Sequence, residues 1–207
     1  MELGQIDAQI MKAAEDRFFS EFISGDLNPQ TFQNYLILEH NFVQSAARLT
    51  GLACYLAPSM NELRDHASAL IDLAYDQNTF FEVSNENNTD DEQTDVPEKT
   101  STNDLENLAA RIARTYDYPQ IVAFFFATEY FYLHWCSLID AFNIESPERK
   151  KWIQMHQSEK FETRVRELRR MVDRCIDVDA ISASEVLGIM SETIEAERSF
   201  HDLAYIV

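Results

Sequence analysis

Residues 123–136, AFFFATEYFYLHWC, limit the possible folds of this chain more than any other segment. The segment is apolar on almost every face of a helix, yet it carries Thr128, Glu129, Tyr132 and His134. We expect such a helix at the centre of a bundle, because a surface helix has one apolar stripe opposite a charged face. A buried hydroxyl without a partner costs about 1–3 kcal/mol, and a buried charge costs more. The polar groups of this helix, with carboxylates from two other helices, therefore predict a pocket for a small molecule.

The rest of the chain is also predicted to be helical. Its 207 residues include four glycines and five prolines, which is few for the many turns of a sheet protein. Apolar residues recur at helical spacing, and no run alternates in the manner of a strand. We therefore predict an all-α bundle of about seven helices in one domain over residues 1–207. The predicted helices cover about 6–23, 29–56, 60–81, 104–116, 118–136, 147–175 and 182–205.

Residues 83–103 break this pattern. Their sequence, VSNENNTDDEQTDVPEKTSTN, contains almost no apolar side chain and many acidic and amide side chains. A segment of this composition buries too little apolar surface to offset the entropy lost on ordering. We interpret it as a mobile acidic loop within the single domain, because neither flank could build a separate core.

Charge and cysteine content narrow the partners and the compartment. The 17 basic and 36 acidic residues give a net charge of -19, which repels nucleic-acid phosphates and anionic lipids. No apolar run reaches the roughly 18 residues needed to span a membrane, and no signal peptide is recognisable. Three cysteines without paired spacing fit a reducing compartment. These features predict a cytoplasmic protein with no nucleic-acid or membrane partner.

Three acidic residues lie in apolar helical surroundings: Glu39 in YLILEHNF, Glu129 in FFATEYFY and Glu197 in TIEAERSFHDLAY. Taken singly, such a residue usually lies at the solvent edge of a helix. Gathered inside a bundle, the three would suit a cationic or amidine-like ligand, or a pair of metal ions.

Two aromatic residues accompany polar ones on the same helix faces. Phe42 lies three residues after Glu39, and Tyr132 lies four residues after Thr128. A carboxylate at the edge of a planar base, with rings stacked on its faces, is a common way to bind that base. The alternative is that Phe42 and Tyr132 are ordinary core residues.

The sequence gives little support for a metal site or cofactor. Glu62 with His66 and Glu197 with His201 are spaced four residues apart, so each pair shares a helix face. Di-iron sites in bundles usually use Glu-x-x-His, and no such motif occurs at a convincing buried position. A single pair at this spacing is more often a surface contact. We expect no metal and no cofactor.

The chain contains FISGDLNPQTFQNYLILEH, WIQMHQSEKFE and EAERSFHDLAY, and these three segments resemble the TenA family, whose members have the haem-oxygenase-like all-α fold. FISGDLNPQTFQNYLILEH resembles the opening of that family and places Glu39 on its acidic position. WIQMHQSEKFE resembles its Trp-Ile-x-x-Tyr segment, with His156 in the tyrosine position. EAERSFHDLAY resembles its C-terminal Glu-x-x-Phe-Trp-x-x-Ala-Tyr signature, with Glu197 at the catalytic acid and His201 at the tryptophan. The resemblance covers nearly the whole chain outside the acidic loop.

This resemblance implies a cofactor-free hydrolase that acts on an aminopyrimidine or a related small N-heterocycle, in thiamine salvage or degradation. In the family, aromatic residues enclose the ring and a cysteine attacks it. That cysteine belongs to a Pro-Cys-x-Trp-x-Tyr pattern, which aligns Thr128 with the cysteine and Tyr132 with the retained tyrosine. A threonine hydroxyl is a poor nucleophile without an adjacent base. Some family members lack the cysteine and use glutamates instead.

The resemblance also implies roles for individual residues. Glu197 is the expected general acid or base, with its pKa raised by apolar neighbours, and Thr128 occupies the other catalytic position. The residues implied to bind the substrate are Glu39, Phe42, Glu129, Tyr132, His156 and His201. Family members commonly form homodimers or homotetramers. Two alternatives stay open: a non-catalytic relative that binds or senses a small molecule, and a di-iron oxygenase on the same fold.

Overall fold

The structure is a computed structural model that describes residues 1–77 and 103–206. The described residues form helices and connecting turns and contain no strand, so the predicted all-α class is confirmed. In chain order the helices are α1 (Gly4–Ala13), α2 (Arg17–Ser24), α3 (Pro29–Leu56), α4 (Met60–Ile71) continued by a π-helix (Asp72–Gln77), α5 (Asp104–Thr115), α6 (Tyr118–Cys136), a 3-10 turn (Ala141–Asn143), α7 (Pro147–His156), α8 (Glu159–Asp177) and α9 (Ala183–Leu203).

Capping residues fix several predicted helix starts. The Asn28 side chain accepts a hydrogen bond from the backbone N–H of Gln30 at the start of α3. Before α9, the Ser182 hydroxyl accepts from the N–H of Glu185, and the Glu185 carboxylate accepts from the N–H of Ser182. The hydrogen bonds from Ser182 lower the pKa of Glu185. In both helices the sequence therefore shows the start, because capping residues satisfy the free N–H groups of the first turn.

Two predicted helices are each divided in the structure. The segment predicted as one helix at 6–23 forms α1 and α2, which are separated at residues 14–16. The segment predicted at 147–175 breaks after α7, because the Ser158 side chain accepts a hydrogen bond from the Phe161 N–H and starts α8. A serine that caps a new helix competes with continuation of the old one. Residues 1–77 and 103–206 therefore form nine α-helices, two more than the seven predicted segments, because each of these two segments is divided.

The buried face of α4 also differs from the prediction. Apolar spacing predicts that α4 buries Leu63 and Ile71, but Leu63 is half-buried and Ile71 is 59% exposed. The buried residues include Glu62 and His66. The Glu62 carboxylate accepts a hydrogen bond from the Ser59 hydroxyl, 3.0 Å away. This local bond satisfies the carboxylate of the buried Glu62. Apolar spacing alone does not predict that an acidic residue is buried at this position.

Contacts between backbone segments divide the chain into two compact units. The first unit comprises Met1–Leu27 and Asp117–Arg198, and in it α6 packs against α1, α7 and α8. The second comprises Asn28–Tyr116 and Ser199–Val207, and in it α3 packs against α4, the π-helix and α5. The single domain over residues 1–207 stays a prediction. The predicted acidic loop lies outside the described residues, except Asn103, which caps α5.

An aromatic cluster forms the core of the first unit. The Trp135 ring lies 5.1 Å from Phe19, 5.5 Å from Phe22 and 5.5 Å from Trp152, measured between ring centroids. Phe131 packs edge-on against Phe19 at 5.5 Å. Large rings at offset and edge-to-face angles fill such a core without gaps.

Among the described residues, no helix combines the length and the apolar character needed to cross a membrane.

Candidate functional site

Helix α6 brings Thr128 and Tyr132 to one buried face. Both side chains are less than a tenth exposed, and they lie four residues apart. The Thr128 hydroxyl donates a hydrogen bond to the carbonyl of Phe125, 3.0 Å away in the preceding turn. This hydroxyl is therefore satisfied within its own helix.

Tyr132 connects α6 to the carboxylate of Glu197 on α9. The Tyr132 hydroxyl donates to Glu197 Oε2 over 3.3 Å, and the Glu197 side chain is fully buried. Sixty-five residues separate the two in the sequence, and both belong to the first unit. A buried carboxylate needs hydrogen-bond donors, since solvent is absent. The structure thus brings together two residues that the sequence analysis placed in the substrate site.

His156, at the end of α7, packs directly on Tyr132. The two rings stack with centroids 5.0 Å apart and an interplanar angle of 29°. Trp152 lies 4.2 Å from the same imidazole, and Phe161 meets its edge at 4.9 Å. Burial among these rings lowers the pKa of His156 to about 4, and a hydrogen bond to the Trp152 carbonyl offsets this only in part. His156 is therefore neutral near pH 7.

This depressed pKa predicts that acid destabilises the fold through His156. Because its folded-state pKa of about 4 lies below the unfolded value near 6.5, its stabilising effect is complete above pH 6.5. It is lost as the pH falls from 6.5 towards 4. Denaturant unfolding at pH 7 and pH 5 should show that the wild type loses about 1–2 kcal/mol more than His156→Phe, after discounting for partial exposure. Equal losses in both proteins would contradict this assignment.

Glu129 and Tyr132 lie on the same helix but interact with different residues. Glu129 is half-buried on α6, and the charge that acts on its carboxylate is that of Arg164 on α8. Burial raises the pKa of Glu129, while the Arg164 guanidinium partly opposes that rise. The described residues give the Glu129 carboxylate no hydrogen bond. Its predicted role in substrate binding stays a prediction.

The His134 side chain does not join the Tyr132 cluster. Its ring lies 3.9 Å from the Tyr130 ring, and its Nδ1 is 2.9 Å from the Tyr130 carbonyl. The Tyr130 hydroxyl in turn donates to Asp7 on α1 over 2.7 Å. Burial, and then the bond to Asp7, raise the pKa of Tyr130. His134 therefore takes part in packing α6 near α1.

The remaining predicted site residues lie in the second unit. Glu39 and Phe42 are buried on α3, and Phe42 contacts Phe200 at 6.0 Å between centroids. His201 is fully buried and stacks on Tyr35 at 5.0 Å with an interplanar angle of 19°. The substrate-binding roles predicted for Glu39, Phe42 and His201 stay predictions.

Two residues that contact His156 had no predicted role: Trp152 and Phe161. Trp152 precedes His156 by four residues, so helical spacing alone places the two side chains on one face. Phe161 lies on the next helix, and its contact depends on the turn at Ser158. A break in a helix changes which residues meet, and that change is not evident from spacing.

The described residues offer no cluster for a metal ion. Within 1–77 and 103–206, no group of three or more histidine, cysteine or acidic side chains lies close enough to hold one. Glu62 and His66 are both buried on α4, but they do not belong to such a group. The di-iron hypothesis therefore gains no support from this part of the chain.

Comparisons with known proteins agree on one family. The model of the TENA/THI-4/PQQC family matches residues 8–206. A TenA homologue from Pyrococcus furiosus is 16% identical and superposes with a TM-score of 0.81, over 98% of this chain and 97% of that one. A TenA family transcription regulator from a Silicibacter species is 12% identical, with a TM-score of 0.82 over 98% and 95%. A protein named as a TenA-like thiaminase from Sulfolobus solfataricus is 16% identical, with a TM-score of 0.70 over 99% and 93%. No curated protein matches the sequence.

Proposed function

We propose, on the premise that this chain belongs to the TENA/THI-4/PQQC family, that it hydrolyses a C–N bond of an aminopyrimidine or related N-heterocycle. The observation that carries the proposal is the hydrogen bond from the Tyr132 hydroxyl to the fully buried Glu197 carboxylate. The C-terminal signature had already indicated Glu197 as the acid or base. A cytoplasmic location is also proposed from the unpaired cysteines, and a homodimer or homotetramer is proposed on the family resemblance alone.

The proposed reaction needs proton transfer and no redox step. For an aminomethyl pyrimidine, the C–N bond to the amino group breaks and a C–O bond to a water oxygen forms. Glu197 takes a proton from the water and returns one to the departing amine, which leaves as ammonia. A positioned acid or base of this kind accelerates such transfers by about 10²–10⁴-fold. One water is consumed for each ammonia released.

Tyr132 is proposed to hold the Glu197 carboxylate in a fixed position. Its hydroxyl bonds one carboxylate oxygen, Oε2, and the Tyr132 ring is itself packed against His156 and Trp152. Thr128 is not proposed as a nucleophile, because its hydroxyl donates to the Phe125 carbonyl and a threonine hydroxyl is a poor nucleophile unless a base activates it. The place of the family cysteine is therefore filled by a residue that shapes the site.

Tyr132→Phe tests this positioning role. The variant keeps the ring and loses only the hydroxyl, so we expect kcat to fall by about 10–100-fold while KM changes little. The free energy of unfolding should fall by about 0.5–1.5 kcal/mol, the usual net contribution of one hydrogen bond. Steady-state ammonia release and denaturant unfolding measure the two effects.

Tyr118→Phe is the matched control, since Tyr118 lies on the same helix as Tyr132 and loses a buried hydroxyl that contacts the Met171 sulfur on α8. It should retain wild-type kcat. If Tyr132→Phe also retains wild-type kcat, the hydroxyl does not position Glu197 for catalysis.

A further inference from the structure

The imidazole of His156 is held in one tautomer. Its Nδ1 lies 2.9 Å from the backbone carbonyl oxygen of Trp152, one helical turn earlier. A carbonyl oxygen only accepts hydrogen bonds, so the proton of the neutral ring must be on Nδ1. The second nitrogen, Nε2, then carries a lone pair and no proton. At this atom His156 accepts a hydrogen bond and cannot donate one.

The neutral state of the ring is set by its surroundings. Tyr132 on α6, Trp152 on α7 and Phe161 on α8 contact the imidazole, and none of them carries a charge near pH 7. The charged groups one turn from these contacts are Glu129 on α6, Glu148 and Arg149 on α7 and Arg164 on α8, and the Glu197 carboxylate accepts a hydrogen bond from Tyr132. With its pKa lowered to about 4 by burial, the imidazole keeps its lone pair throughout the physiological range.

The position of Nε2 makes it available to a ligand. Because Nδ1 faces the backbone of α7, Nε2 lies on the opposite edge of the ring and points away from that helix. No residue of 1–77 or 103–206 hydrogen-bonds to Nε2, and the side chain is half-buried. The same ring stacks on Tyr132, whose hydroxyl bonds Glu197. An acceptor thus adjoins the proposed catalytic pair.

We infer that His156 is a specificity-determining residue, whose Nε2 accepts a hydrogen bond from an amino group of a planar heterocycle bound beside Tyr132. The inference rests on the proposed function, because it needs the heterocycle to bind at that place. A ring of the same shape without the amino group would leave Nε2 partly removed from water and without a donor. Sites built around a hydrogen bond reject such analogues more strongly than sites built on apolar contact do.

Binding selectivity tests the inference directly. Titration calorimetry would compare 4-amino-5-hydroxymethyl-2-methylpyrimidine with the same compound lacking the 4-amino group, on wild type, His156→Phe and His134→Phe. We expect the preference of the wild type for the amino compound to drop roughly tenfold in His156→Phe. His134→Phe is the matched control, because His134 has the same bond from Nδ1 to a carbonyl one turn earlier but packs on Tyr130. It should keep the full preference.

The outcomes separate this inference from the proposed function. An unchanged preference in His156→Phe overturns the inference, while tight binding and turnover by the wild type leave the proposed function standing. Failure of the wild type to bind either compound overturns both. If His156→Phe does not fold, the ¹⁵N spectrum of the wild-type imidazoles decides. A proton on Nε2 of His156, or an Nε2 signal that the amino compound does not move, contradicts the inference.

Discussion

Glu197→Gln is expected to reduce kcat for an aminopyrimidine by at least 100-fold and to leave binding within a few-fold of wild type. Glutamine has nearly the shape of glutamate, and its side-chain oxygen still accepts the hydrogen bond from Tyr132. It cannot take up and return a proton near neutral pH, so only the proton-transfer role is removed. Ammonia release under saturating substrate measures kcat, and calorimetry measures binding.

The control for this variant is Glu195→Gln on the same helix. The Glu195 side chain is 69% exposed, and its carboxylate pairs with Arg198 at the surface, 2.8 Å away. Exposed pairs of this kind contribute at most about 1 kcal/mol to stability. Glu195→Gln should therefore keep wild-type activity. A Glu197→Gln protein with more than a tenth of wild-type kcat would remove Glu197 from the mechanism.

The second large effect concerns stability. Trp152→Ala is expected to lower the free energy of unfolding by about 3–5 kcal/mol, because it empties a fully packed position. The Trp152 side chain is 1% exposed and its ring contacts Phe22, Tyr132, Trp135 and His156 at 4.2–5.8 Å. For a chain of this length, such a loss lowers Tm by about 6–20 °C. Denaturant unfolding and calorimetry provide the two measurements.

A surface aromatic gives the comparison for Trp152. Phe142→Ala removes a ring that is 89% exposed and lies 5.9 Å from the Lys150 ammonium. Its free energy of unfolding should stay within about 0.5 kcal/mol of wild type, as for most surface substitutions. If Trp152→Ala costs less than about 1 kcal/mol, the cluster around Trp135 and Trp152 does not hold the first unit together in the way described.

Local signals were sufficient for most of the fold. Asn28 before a proline and the Ser182 and Glu185 pair each predict a helix start, because such residues satisfy free N–H groups at that position. The apolar composition of 118–136 similarly predicts a central helix, and α6 is buried on most of its faces. These features act over a few residues, so a single sequence contains the information needed to read them.

Other features depended on contacts that the sequence does not encode locally. At Ser158 the chain can either continue α7 or start a new helix that the Ser158 side chain caps, and the structure has the second arrangement. In α4 the buried residue is Glu62, whereas apolar spacing predicts Leu63. The hydrogen bond between Tyr132 and Glu197 joins two helices, and the two residues are 65 positions apart in the sequence. The polar groups of the central helix predict a pocket shared with carboxylates from other helices, and the resemblance to the TenA family assigns Glu197 to it as the acid or base. The resemblance itself is confirmed by the family model over residues 8–206.

The neighbours of Glu129 and His156 illustrate the same limit in the candidate site. The charge of Arg164 on α8 acts on Glu129, and Phe161 on that helix meets the edge of His156. Neither contact follows from helical spacing, since each joins two helices. The tautomer of His156, in contrast, depends on the carbonyl of Trp152 within α7. That bond joins two residues one turn apart within a single helix.

The central claim is that the buried Tyr132 and Glu197 pair supports hydrolysis of an aminopyrimidine. The most direct measurement incubates metal-free wild-type protein with 4-amino-5-aminomethyl-2-methylpyrimidine and follows ammonia and the hydroxymethyl product together. We expect both to appear in equal amounts, and we expect Glu197→Gln to form both at least 100-fold more slowly. Binding without any product would contradict the hydrolase and indicate a carrier or sensor, and absence of both binding and turnover would contradict the link to thiamine compounds.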